Sequence, residues 1–303
     1  MLPPDGHAAA AMMSPLDRCA GGAIAPNVAL MQLFMAASDE ESARHALVSA
    51  IVASGRDAGP VAASRLSAMQ HLWDGAPGAY RAISAIHRLA DTDMLGPTEA
   101  RVRQIASLFD GAAAISPAAS IALYSLGSAQ LLDESTRETV ALMQLWNLFG
   151  PYSRVADIGC GTGRFLEALA PSVHSIVGLD ISQAMLESAR AHAARFSNAA
   201  VVCGSGRDLA ALGPGPFDFI LAIDSFPYLV QAGVVEPHVE DCARVLAPEG
   251  RLLIMNFSYR GDLDWDRAEL ARFAAEFGFH ILRNGTHDLQ LWDGAAFLLE
   301  KRL

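Results

Sequence analysis

From Pro26 to Phe149 apolar residues recur at three- and four-residue spacing, the signature of helices that bury one face. About six helices fit this stretch on that spacing. Ser38 with Glu41 reads as a capping box, Thr98 opens a helix expected to stop at Gly111, and Ser116-Pro117 opens another. The last helix is expected from Asp133 to Leu148, with Leu142, Leu145, Trp146 and Phe149 along one side, ending at Gly150-Pro151. Beyond Pro151 the texture changes to short apolar runs separated by helical stretches, as in a parallel sheet covered on both faces. Strands are expected at Arg154 to Ile158, Ser175 to Leu179, Ala199 to Cys203, Phe217 to Ile223, Arg251 to Phe257, His280 to Arg283 and Phe297 to Lys301. Helices fit at Arg164 to Leu169, Gln183 to Ala194, Glu236 to Leu246 and Asp266 to Phe277. The final two strands leave no room for a clear helix between them, so they are read as antiparallel neighbours.

The chain therefore divides near residue 150, into an all-helical N-terminal domain, 1–150, and an α/β domain, 151–303. The pentapeptide LWDGA occurs at Leu72 to Ala76 and again at Leu291 to Ala295, but its flanks share no pattern and it is read as coincidence.

Composition narrows the function. With 303 residues and 52% hydrophobic content the chain can bury two cores. A formal charge of −11 argues against a general polyanion binder, so nucleic acid is not expected and a small molecule is the favoured partner. Lys301 is the only lysine, which argues against a Schiff base or a P-loop. Cys19, Cys160, Cys203 and Cys242 form no C-x-x-C pair, suggesting neither a zinc site nor a disulfide framework and a cytoplasmic location. Pro3, Pro4, Asp5, Asp17 and Gly21-Gly22 interrupt any leader-like apolar run, and no stretch is long and apolar enough for a membrane span.

The candidate chemistry begins at Val155 to Gly163, VADIGCGTG. A glycine-rich turn after the first strand of an α/β unit lets backbone N–H groups and a helix N-terminus approach a ligand. The spacing is G-x-G-x-G, at Gly159, Gly161 and Gly163, whereas the dinucleotide fingerprint needs a third glycine where Arg164 stands. That counts against an NAD-dependent dehydrogenase.

With Asp157 ahead of it, DIGCGTGRF resembles the first motif of class I S-adenosylmethionine-dependent methyltransferases. VGLDIS, VVCGSGRDL, FDFILAIDSFPYLV and ARVLAPEGRLLIMNFSYRG follow in the family's order, so the resemblance covers about residues 124 to 303. It implies a Rossmann-like seven-stranded sheet with an antiparallel last strand pair and S-adenosylmethionine as cofactor. It also implies that Asp157, Gly159, Cys160, Gly161 and Gly163 line the methionine and ribose portion, that Asp180 accepts both ribose hydroxyls, and that Ile181 lies against the adenine. Many relatives carry an acid where this chain has Ser205; Asp208, or backbone at Gly206 and Arg207, would serve the adenine amino group instead. Asp224 and Ser225 fall at the end of the fourth strand, and Tyr124 lies in the segment that often closes over the cofactor. Asp224 with Asn256 could be read as a metal pair, but without a third carboxylate no metal is expected.

The implied reaction is methyl transfer to oxygen or nitrogen of a small-molecule acceptor by in-line displacement, in which alignment matters more than a nucleophile. Asp224, His238, Tyr259 and His287 are candidates for a base, with His238 read as part of a solvated helix face. The segment DSFPY lacks the N-P-P-Y of amino-group base methylases. Two alternatives stay open: a cofactor-binding protein of the same fold without transfer activity, and a protein methyltransferase. The helical domain is expected to supply substrate contacts and could offer a homodimer face.

Overall fold

A computed structural model describes residues 15–57, 59–90 and 94–303. The sequence reading of Pro3, Pro4 and Asp5 falls on residues 1–14, which lie outside the described residues. The helices in chain order are α1 (Pro26–Ala36), α2 (Glu40–Asp57), α3 (Gly59–Gly75), α4 (Ala79–Ala90), α5 (Thr98–Ile115), α6 (Pro117–Ile121) and α7 (Ala129–Leu145). The α/β part reads β1 (Arg154–Ile158), α8 (Arg164–Leu169), β2 (Ser175–Asp180), α9 (Gln183–Ala193), β3 (Ala199–Cys203), β4 (Phe217–Ile223), α10 (Phe226–Ala232), α11 (Val235–Val245), β5 (Leu246–Met255), α12 (Leu263–Glu276), β6 (Phe279–Thr286) and β7 (Ala296–Lys301).

The strands form one seven-stranded sheet in the order β3-β2-β1-β4-β5-β7-β6. The first five strands pair in parallel, and β7 runs antiparallel between β5 and β6. β1 and β4 are buried almost throughout, which is why they read as short, mostly apolar runs rather than strict alternations. Phe219, Ile220, Leu252, Ile254, Phe257, Phe273 and Phe297 are among the buried side chains of this core.

Several local expectations shift. The side chain of Asp39, not Ser38, receives the N–H of Ser42 at 2.7 Å ahead of α2. α5 continues through Gly111 to Ile115, since a single glycine inside a packed helix costs only about 1 kcal/mol. Ser116 does cap α6, accepting from the N–H of Ala119. α7 begins and ends several residues earlier than expected. β5 starts at Leu246 and stops before Phe257, β6 extends from Phe279 to Thr286, and α10 fills what reads in sequence as a loop.

The described residues gather into two compact units that interleave along the chain. One takes residues up to 90, 112–135 and 290–293; the other takes 94–111, 136–289 and 294–303. In the helical unit Phe34 is fully buried, with the rings of Trp73 and Tyr80 edge-on at 4.7 and 5.5 Å. Asn27 donates to the carbonyls of Tyr124 and Leu291, and Tyr124 stacks on Trp292 at 5.2 Å. In the α/β unit, residues 94–111 bring the first part of α5 against the carboxyl side of the sheet, through Val102, Ile105 and Phe109 with Ile181, Tyr228 and Val234. No described helix is long and apolar enough to cross a membrane.

Candidate functional site

In an open α/β sheet the cleft lies beyond the carboxyl ends of the strands, where the strand order reverses, here between β1 and β4. The glycine loop leaves β1 there. The N–H groups of Gly159 and Cys160 both donate to the Leu179 carbonyl, at 2.8 and 3.0 Å, so the loop is tied to the end of β2. Gly159 has φ +73, and a Cβ on it would come within 2.5 Å of Ser225 Cβ. Ser225 is held in place by donating its hydroxyl to the Ile158 carbonyl at 2.7 Å. At the other end Gly163, φ +88, starts α8, and a Cβ there would reach Ala189 Cα at 2.9 Å. Both glycines are thus required by close backbone approach as well as by conformation. Cys160 is buried, and a Cβ on Gly178 would meet its sulfur at 2.8 Å, so it fills a small space under the loop.

Two carboxylates set the electrostatics. Asp180, 9% exposed, accepts from Gly161 N–H at 2.8 Å on one oxygen and from the N–H groups of Ile181 and Ser182 at 2.7 and 2.9 Å on the other. A carboxylate has about four acceptor sites, so roughly one is left for a ligand. Burial raises the Asp180 pKa, against the pull of those backbone donors. Asp157 is 1% exposed, and its Oδ2 has no hydrogen-bond partner among the described residues. Burial raises its pKa to about 7, opposed by the Arg164 charge and reinforced by Asp180. A buried carboxylate in that state gains from a cation brought beside it.

On the side of β2 and β3, Ile181 packs with Val102 of α5, whose methyl would lie 2.6 Å from a Cβ on Gly206. Ser205 accepts from Arg207 N–H and donates to Asp208, which also accepts from Ala210 N–H, so these residues close a turn. Arg207 is exposed, with Glu99 at 3.6 Å. Asp110 of α5 accepts from the Ser182 hydroxyl at 2.6 Å and from Ala184 N–H at 3.1 Å, bracing the start of α9. Neither Val102 nor Asp110 is singled out by sequence patterning, because a polar residue late in a helix carries no signal of its partner.

At the ends of β4 and β5, Asp224 and Asn256 both have φ +62. Asn256 donates its amide to Asp224 Oδ1 at 2.9 Å and accepts from Ala295 N–H at 3.0 Å, which fixes the orientation of the amide. The Asp224 and Asn256 side chains are thus engaged with each other, and Asn256 also with the backbone. Burial, then the Asp224 charge, raises the pKa of both the Tyr228 and Tyr259 hydroxyls above the ordinary tyrosine value. The Tyr228 ring meets Tyr259 edge-on at 5.7 Å and Phe109 at 4.8 Å.

The remaining candidates stand elsewhere. His238 is 1% exposed, not on a solvated helix face: its Nδ1 lies 2.8 Å from the Val234 carbonyl and burial lowers its pKa. His287 is exposed in the connection between β6 and β7. Tyr124 is 3% exposed in the helical unit, packed as described above, whereas the other candidates belong to the α/β unit.

Among known proteins, the family described as "Methyltransferase domain" matches residues 155–250. The "Ubiquinone biosynthesis O-methyltransferase" of Caulobacter sp. (strain K31) is 28% identical over 136 residues, 45% of this chain and 51% of that protein. Its namesake from Thiobacillus denitrificans is 30% identical over 138 residues, covering 45% and 56%. The chain thus spans about half the length of the curated relatives it matches. A solved structure of a TehB-like SAM-dependent methyltransferase from Corynebacterium glutamicum aligns at 20% identity and a TM-score of 0.44, over 56% of this chain and 87% of that one. Over residues 155–250, from β1 into β5, the chain is thus similar to proteins of a methyltransferase domain family.

Proposed function

We propose that the chain transfers a methyl group from S-adenosylmethionine to a small-molecule acceptor, with oxygen the favoured acceptor atom. The observation that carries the cofactor assignment is the carboxylate pair at the glycine loop. Asp180 orders Gly161 and keeps about one acceptor site for a ribose hydroxyl, and the buried, unpartnered Oδ2 of Asp157 suits a neighbouring cation. Ile181 and the turn at Ser205, Gly206, Arg207 and Asp208 are the proposed adenine surroundings, and Gly159, Cys160, Gly163, Asp224 and Ser225 complete the proposed wall. When bound, the cofactor supplies an electrophilic methyl carbon. The protein's part is alignment, which in well-oriented systems contributes about 7 to 11 kcal/mol. The names of the relatives favour an oxygen acceptor.

The charge of −11 supports a small molecule rather than nucleic acid, and four free thiols suit a reducing, cytoplasmic setting. A homodimer through the helical region is part of the same reading, to be checked by sedimentation.

The test is titration calorimetry with S-adenosylmethionine and S-adenosylhomocysteine on the wild type and Asp180→Ala. Micromolar binding that weakens at least tenfold in the variant supports the reading. Absence of binding by the wild type overturns it, and binding without S-adenosylhomocysteine release from any acceptor pool favours a cofactor-binding protein instead.

A further inference from the structure

Resting on the methyl-transfer reading above, we propose that His192 is a positioning residue for the cofactor loop: its ring donates to the Thr162 carbonyl and thereby sets the loop's affinity for S-adenosylmethionine and S-adenosylhomocysteine. The Nδ1 atom of His192 lies 2.7 Å from that carbonyl oxygen. A carbonyl only accepts, so Nδ1 carries a proton whether the ring is neutral or charged.

The contact completes the immobilisation of one peptide group. Gly163 N–H, which shares a peptide with the Thr162 carbonyl, donates to the Cys160 carbonyl at 2.9 Å. With His192 on the other side, both polar groups of that peptide are engaged, and Thr162 itself is buried. One residue earlier, Gly161 N–H is held by Asp180 at 2.8 Å. Gly161 and Gly163 have φ +54 and +88, so Thr162 is flanked on both sides by residues with glycine's freedom and the loop must be held by its surroundings.

Both holds come from one β–α segment. Asp180 ends β2, His192 stands in the last turn of α9, and the Ser182 cap of α9 donates its N–H to Asp180 at 2.9 Å. Ala189 is the residue that a Cβ on Gly163 would meet at 2.9 Å, so the face of α9 that carries Ala189 and His192 lies against the loop. The ring is also anchored at its outer end. Its Nε2 lies 3.8 Å from Glu167 Oε2, and Arg195 holds the other oxygen of that carboxylate at 2.7 Å. Glu167 belongs to α8, the helix into which the loop leads, so His192 touches the loop and faces the helix that follows it. A loop gripped in this way is preorganised, and its ordering is not left to ligand binding.

The experiment pairs calorimetry with nitrogen NMR. The wild type is titrated with S-adenosylhomocysteine first; absence of binding removes the methyl-transfer reading and this proposal with it. His192→Asn, His192→Gln and His192→Leu follow. An asparagine amide nitrogen falls where Nδ1 stands and reaches Thr162, whereas a glutamine amide projects toward the place of Nε2. The expected result is affinity close to wild type in the Asn variant and about tenfold weaker in the Gln and Leu variants. Helix propensity alone orders them the other way, because leucine and glutamine are better helix formers than asparagine. Equal affinity in all of them, or a loss in the Asn variant as large as in the Leu variant, overturns the proposal and leaves the cofactor reading in place.

Nitrogen NMR of the labelled wild type reads the ring directly, the signal lost in His192→Asn being that of His192. Its Nδ1 should stay protonated throughout a pH titration, with only Nε2 gaining or losing a proton. Neutral imidazole in water favours the opposite tautomer, so this form reports the hydrogen bond. His238, whose Nδ1 lies 2.8 Å from the Val234 carbonyl, serves as the reference ring of the same kind. A His192 Nδ1 that loses its proton as pH rises overturns the hydrogen bond and the positioning role with it.

Discussion

At the scale of single residues, the candidate cleft depends on groups whose work is done inside the protein as much as toward a ligand. Asp180 gathers three backbone donors, so Asp180→Asn should disturb the loop even before a ligand arrives. Loss of that charged acceptor is worth about 1.5 to 3 kcal/mol, and calorimetry should show S-adenosylmethionine affinity at least tenfold weaker. Asp157 makes a pH prediction with a definite sign. Its folded pKa, about 7, stands above the ordinary 3.8, so its contribution to stability is full below the ordinary value and is lost as pH rises through about 7. A cationic ligand reverses the preference by favouring the charged form. Binding below about pH 7 should therefore release a proton, and affinity should climb as pH approaches that value. Calorimetry in two buffers of different ionisation heat measures the release, and Asp157→Asn should abolish it. Gly159→Ala places a methyl within 2.5 Å of Ser225 Cβ at a left-handed position. A cost of about 1 to 3 kcal/mol in chemical denaturation and loss of cofactor binding are expected.

At the scale of elements, the most legible parts were those where one residue-level rule decides. β1 and β4 begin and end at the expected residues, because strands buried almost throughout stand out as mostly apolar runs, and the edge strand β3 keeps its expected bounds although it is only partly buried. α5 shows what patterning does not carry. Its spacing announces a helix, but nothing local says that Val102 meets Ile181 and Gly206, or that Asp110 holds Ser182 and Ala184. The same limit applied to His238, whose acidic neighbours suggested a solvated face although the ring is buried on its own helix's carbonyl. Tyr228 escaped notice because α10 reads as a loop, and the relation of Tyr228 to Tyr259 across 31 residues of chain has no local signature. Asp110→Ala should destabilise the α/β unit by about 1 to 2 kcal/mol in denaturant titration, since it removes both a brace on Ser182 and an acceptor at the start of α9.

At the scale of the whole molecule, the described residues gather into two compact units, and the chain passes between them more than once. Residues 112–135 and 290–293 fall in the helical unit, while 94–111 fall in the α/β unit. Trp292, in the connection between β6 and β7, is therefore expected to report on helices far from it in sequence. Trp292→Ala should cost about 3 to 5 kcal/mol. By hydrogen exchange, that loss should appear first in peptides covering α1 and residues 123–125, where Asn27 and Tyr124 lie, and only later in the strands.

The tetrapeptide 290–293 also bears on how such proteins can diversify. A helical unit traded between relatives at a single junction near residue 150 would arrive without the Leu291 carbonyl that Asn27 binds and without the indole that Tyr124 stacks on. A working chimaera must import a second, distant patch of four residues together with the segment before that junction. Recombination at one breakpoint is thus penalised, and new properties should arise by point substitution inside the existing units more readily than by swapping them.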